Sequence, residues 1–189
     1  MTPRELEEYR ALRATILARG TARVWVFVVG LAAWAGLVVA TAAWASLPVA
    51  TLLPLLLLTA LFEAVFTLHT GVERIGRYIQ VFHEDASERS WERTAMAYGR
   101  RFPGRANDPL FAPYFWIAIV FNFVPALLAG AVRIEWTVVG IAHLMVAARI
   151  GWARWQASRQ RAIELEQFVE LQRSGGANHE PASIDRMPR

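Results

Sequence analysis

The chain has 189 residues, 55% of them hydrophobic, with 20 basic and 16 acidic residues and a formal charge of +4. Every basic residue is Arg and Cys is absent, which excludes a disulfide framework, thiolate chemistry and Cys-ligated metal. Four apolar runs of spanning length overrule a single soluble domain. The positive charge then speaks of topology and anionic lipid rather than of nucleic acid.

Residues 1–20 open with Thr2 and Glu5 in capping-box spacing and Pro3 in the first turn. Leu6, Tyr9, Leu12 and Ile16 recur at helical spacing, which predicts a short amphipathic helix that Gly20 ends or bends. Its apolar stripe is expected to pack on the protein's own cytoplasmic helices. No cleaved signal peptide is expected, because acids are mixed with the early basic residues and no short apolar core precedes a cleavage site.

Residues 24–46 carry no charge and form a predicted first span, with Trp25 and Trp44 near its ends. Leu47 and Pro48 turn the chain into a second span from Val49 to Thr70, so that 24–70 reads as one tight hairpin. Residues 71–110 form a cytoplasmic helical loop. Its first part continues the second span, with Val72, Ile75, Ile79 and Phe82 on one side. Asp85 and Glu88 form a second capping box, opening a helix that Gly99 closes, and Asn107-Asp108-Pro109 turns back to the membrane.

A third span is expected over 111–132 and a fourth over 136–152, joined at Arg133, Ile134 and Glu135, which makes 111–152 the second hairpin. Residues 153–174 continue as a cytoplasmic helix with Trp155, Leu165 and Val169 near heptad spacing. Gly175 and Gly176 are expected to stop it, leaving 175–189 as a disordered tail. Arg133 is the lone Arg in the two short turns, so the positive-inside rule places both termini and the central loop in the cytoplasm of a bacterial inner membrane. The expected fold is an all-α membrane protein: four transmembrane helices as two tight hairpins, with a cytoplasmic layer of short amphipathic helices.

Chemistry-bearing residues are few. Glu63 lies inside the second span, where a carboxylate needs a partner or a water-filled cavity. Counting inward from Arg74 and from Arg154 puts Glu63 and His143 at equal depth, about 16 Å in, at a rise of roughly 1.5 Å per residue. That makes them a predicted pair, with Asn122 of the third span beside them. Such a cluster serves as helix–helix glue or, less simply, as a proton or ion path. Nearer the cytoplasm, His69, Glu73, Arg74, Arg77 and Arg149 suit a polar or lipid head-group site, with Arg149 reaching Glu73 or the interface.

No nucleophile elbow, phosphate-cradling glycine loop, histidine-pair zinc motif or carboxylate di-iron motif occurs. No catalytic residue, metal or cofactor is therefore expected. The expected function is that of a non-enzymatic assembly, scaffold or accessory subunit working through its cytoplasmic helices. The alternative is a homo-oligomeric channel or small transporter using the intramembrane Glu/His cluster. Expected partners are anionic head groups of the bilayer, further copies of the chain or other membrane subunits, and no nucleic acid.

Overall fold

A computed structural model describes residues 1–44, 47–84, 91–102, 111–130 and 132–177. These residues form five α-helices and one 3-10 turn, with no strand among them. Helix α1 spans Pro3–Trp44, a 3-10 turn Pro48–Thr51 leads into α2 at Leu52–Phe82, α3 covers Trp91–Arg101, α4 Ala112–Leu128 and α5 Arg133–Ala177. Three helices, α1, α2 with its leading turn, and α5, are long and apolar enough to cross a membrane; α4 is apolar but shorter.

Helix α1 starts as its sequence predicts. Thr2 N donates to Glu5 Oε2 at 2.7 Å and Glu5 N to Thr2 Oγ1 at 3.3 Å, so both otherwise unpaired amides of the capping box are satisfied. The expected break at Gly20 does not occur, and α1 runs unbroken for 42 residues. An interior glycine costs only about 1 kcal/mol relative to Ala, and packing along α2 on both sides of Gly20 offsets it. Glu8 and Tyr78, Arg23 and His69, and Gly30 and Leu61 meet in that order, so the two helices run antiparallel. Gly30 leaves room for the Leu61 side chain, and Gly71 of α2 leaves room for the Arg19 guanidinium.

The core lies where all four long elements meet. Phe62 of α2 meets Phe115 of α4 edge-on at 5.3 Å, Phe27 of α1 meets Phe115 at 5.8 Å, and Phe27 stacks on Phe111 at 4.1 Å. Phe111, the residue before α4, takes a left-handed conformation with φ of 54°. A non-glycine side chain there is uncommon, and the stack on Phe27 helps hold it. Leu58, Val65, Ile119 and Ile150 complete the buried centre.

At roughly 1.5 Å per residue α4 is only about 25 Å long, whereas α1 and α5 reach about 63 and 68 Å. The molecule therefore has a four-helix apolar half and a longer polar half built from α1, α2 and α5, with α3 against the end of α2. There Arg93 Nη2 donates to the carbonyls of Gln80 and Glu84. Three expected boundaries shift. Helix α5 starts at Arg133, with Glu135 Oε2 accepting from Val132 N at 3.0 Å, so the residues expected as the turn form its first helical turn. At its other end it passes Gly175 and Gly176 to reach Ala177. Helix α3 passes Gly99, while Asp85, Glu88, the 107–109 turn and residues 178–189 lie outside the described residues.

Candidate functional site

Polar side chains lie in layers down the bundle. In the uppermost, Asn122 is fully buried and ties four segments together. Its Oδ1 accepts from Trp34 Nε1 of α1 at 3.2 Å, and its Nδ2 donates to the Thr51 carbonyl at 2.9 Å. The same Nδ2 lies 3.0 Å from His143 Nε2, and His143 Nδ1 lies 2.8 Å from the Val139 carbonyl. A carbonyl can only accept, so Nδ1 carries the proton and Nε2 accepts the second amide hydrogen of Asn122. With that neutral tautomer every polar atom of the amide and imidazole has a partner. The Phe123 ring closes over His143 at 5.0 Å.

Glu63 is not part of this layer, so the predicted Glu63–His143 pair is not formed. Arg149 Nη2 donates to Glu63 Oε2 and Arg149 Nε to Glu63 Oε1, both at 2.9 Å, a two-pronged guanidinium–carboxylate contact. The reason is register. Helices α2 and α5 run parallel, and their cross-links, Glu63 with Arg149, Glu73 with Arg161, Arg74 with Glu164, and the Val81 carbonyl with Gln172, join residues 86, 88, 90 and 91 apart. Equating the depths of Arg74 and Arg154 assumed too small an offset. The pair also lies on the outer flank, with the side chains of Arg149 and Glu63 33% and 40% exposed. The guanidinium carbon is 5.9 Å from the ring centres of both Phe66 and Trp152.

About 9 Å further along α2, at 1.5 Å per residue, α1 and α5 converge on His69. Arg23 Nη1 lies 2.7 Å from His69 Nδ1, and His69 Nε2 lies 3.2 Å from Glu73 Oε1. Arginine can only donate, so Nδ1 accepts and the proton sits on Nε2, facing the carboxylate. Glu73 also takes both prongs of Arg161, at 2.6 and 3.1 Å. One turn below, Glu164 of α5 is shared by Arg74 at 2.8 Å and the buried Arg77 at 2.5 Å. Burial pushes the Glu164 carboxyl up, and the hydrogen bonds and charges of Arg74 and Arg77 outweigh it, holding the group below its ordinary 4.5. At the base, Glu8 accepts from Tyr78 Oη at 2.9 Å, and Arg13 reaches Glu84 at 3.9 Å.

The structure thus joins His69, Glu73, Arg74 and Arg77 in the α2 part of one ionic seam and gives Arg149 to Glu63 instead of Glu73. Sequence reasoning missed Trp34, Arg23, Arg161 and Glu164. Trp34 could have been singled out as the tryptophan in mid-span rather than at an end. Arg161 and Glu164 mirror the signs of Glu73 and Arg77 on the helix that runs parallel to α2. No protein-family model, curated protein or solved structure matches the chain.

Proposed function

We propose that the protein is a four-span integral membrane protein of the bacterial inner membrane, with both termini in the cytoplasm, acting as an assembly or accessory module. In this reading α1, α2, α4 and α5 cross as two hairpins, α4 tilting least because its length falls a little short of a hydrocarbon core of about 30 Å. The single observation that carries it is the contrast along the long helices. Large apolar side chains face outward on all four in one band, among them Val28, Leu56, Val120 and Leu144. Beyond that band, at one end of the molecule, α1, α2 and α5 continue together, cross-linked by ion pairs among the described residues. An outward apolar belt of this extent suits lipid, and a rigid ionic stalk on one side suits presentation to other proteins.

The polar groups inside the band favour assembly over conduction. Asn122 and His143 close on each other, and Glu63 closes on Arg149 some 9 Å away along α5, at 1.5 Å per residue, so the three residues of the channel reading do not share one layer. Because the chain has no Cys, single-cysteine labelling reads the topology directly. Cysteines at Glu7 and Glu170 should react only from the cytoplasmic side, and one at Leu47 only from the opposite side. Purification in mild detergent should yield a stoichiometric complex. A strictly monomeric, partner-free protein would contradict the assembly role, and proton or cation flux in liposomes abolished by Glu63→Gln would favour the channel.

A further inference from the structure

The outer surface of the apolar band has two unlike faces. On α1 and α4 the outward side chains of the band carry no charge, as at Val28, Val29, Ile117, Val120 and Phe121. On the α2–α5 side the outward line of α2 runs through Leu56, Ala60, Glu63, Thr67 and Arg74, residues three to seven apart on one helical face. It carries the part-exposed Glu63–Arg149 pair. Below the band the same side opens into a groove of about 470 Å³ between Arg74 and the α5 residues Gln156, Gln160, Ile163, Gln167 and Leu171. A charged pair facing hydrocarbon is costly even when internally matched, because the outer lone pairs and N–H groups lack partners.

We infer that a second copy of this chain covers the α2–α5 face, forming a parallel dimer about an axis along the membrane normal. This rests on the four-span reading above. The warrant is charge complementarity. Copies inserted with the same topology can pair face to face only about such an axis, which keeps every residue at its own depth and exchanges left for right. Because α2 and α5 run parallel, Glu63 and Arg149 share one depth. Rotation therefore sets Glu63 opposite the copy's Arg149 and Arg149 opposite the copy's Glu63, closing a ring of four alternating charges. The Arg74 guanidinium, 59% exposed, extends the same line of α2, while its partner Glu164 of α5 is only 11% exposed, with the signs reversed between the same two helices. Thr67 adds a hydroxyl to the face, and such groups hydrogen-bond readily across membrane helices.

The test is self-sorting of full-length chains in nanodiscs or mild detergent. The swap Glu63→Arg with Arg149→Glu keeps the pair within each chain and between like chains, but sets like charges opposite each other when paired with wild type. Two tags, one on each form, should recover mixed dimers well below the half expected from random pairing, since like-charge juxtaposition is strongly disfavoured. In parallel, Ala60→Cys and Thr67→Cys should cross-link to dimers of the chain, and Val28→Cys and Val120→Cys should not. Random mixing of wild type and swap, or equal cross-linking from both faces, overturns the dimer. Cross-linking of Ala60→Cys to a different membrane protein overturns it too, while leaving the assembly role standing. Release of the chain by alkaline carbonate would instead overturn the spanning reading itself.

Discussion

The Asn122 layer and the Glu63–Arg149 pair are both polar groups set in an apolar band, yet they are built on opposite terms. Asn122 is closed on all sides: Trp34, Thr51 and His143 use its donors and acceptor, and no part of it reaches the surface. Glu63 and Arg149 pair with each other but leave Arg149 Nη1 buried without a partner and a flank of the pair open. The lesson is that a polar residue in a span is diagnosed by what remains unsatisfied after the fold forms. A closed network fixes which helices meet, whereas a half-open one leaves a surface for something else.

That contrast can be broken from either side. The largest effect is expected from Glu63→Lys, which sets two cations together in the band. Removing one partner of a desolvated pair costs on the order of 3–5 kcal/mol, so expression and melting temperature should both fall sharply. Glu63→Leu with Arg149→Leu should melt close to wild type, since replacing both partners by apolar groups is often nearly neutral. Next comes Asn122→Leu, which strands the Trp34 N–H and the Thr51 carbonyl in the core. At roughly 1–3 kcal/mol for a buried group left unpaired, unfolding in mixed detergent should shift to clearly lower denaturant fraction, with no change in self-association.

A smaller effect is expected from acid. Glu164 is held below 4.5 by Arg74 and Arg77, so its contribution is fully present above pH 4.5 and is lost as pH falls through its lowered value. Thermal melts across that window should show the loss, and Glu164→Gln should flatten the profile. Smallest and opposite in sign, Gly20→Ala should stabilise by about 0.5–1 kcal/mol, because nothing lies within 4 Å of the added methyl. An equal loss of stability there would show that α1 bends at Gly20 after all.

Much of the fold was legible because apolar run length and capping chemistry are local. The Thr2–Glu5 box, the turn at Leu47–Pro48 and the helical continuation of residues 71–82 all follow from residues near one another in sequence. Gly20, Gly175 and Gly176 misled because a glycine's cost is small beside the packing of a long helix on its neighbours. The partners of Glu63 were not legible, since helix register is set by the whole seam from Arg149 to Gln172 and not by any one boundary arginine. His143 and Asn122 meet in the structure, both lying in apolar stretches of consecutive helices, but Trp34 contributes through an indole N–H that a scan for titratable groups passes over.

In the proposed dimer the α1–α4 face meets lipid and the α2–α5 face meets protein. Nitroxide labels on single cysteines at Val28, Val120, Ala60 and Thr67 in lipid bilayers test it most directly, by their mobility and their collisions with dissolved oxygen. We predict mobile, oxygen-accessible labels at Val28 and Val120, and immobilised, oxygen-shielded labels with spin–spin broadening at Ala60 and Thr67. Four labels equally mobile and equally exposed to oxygen would contradict it.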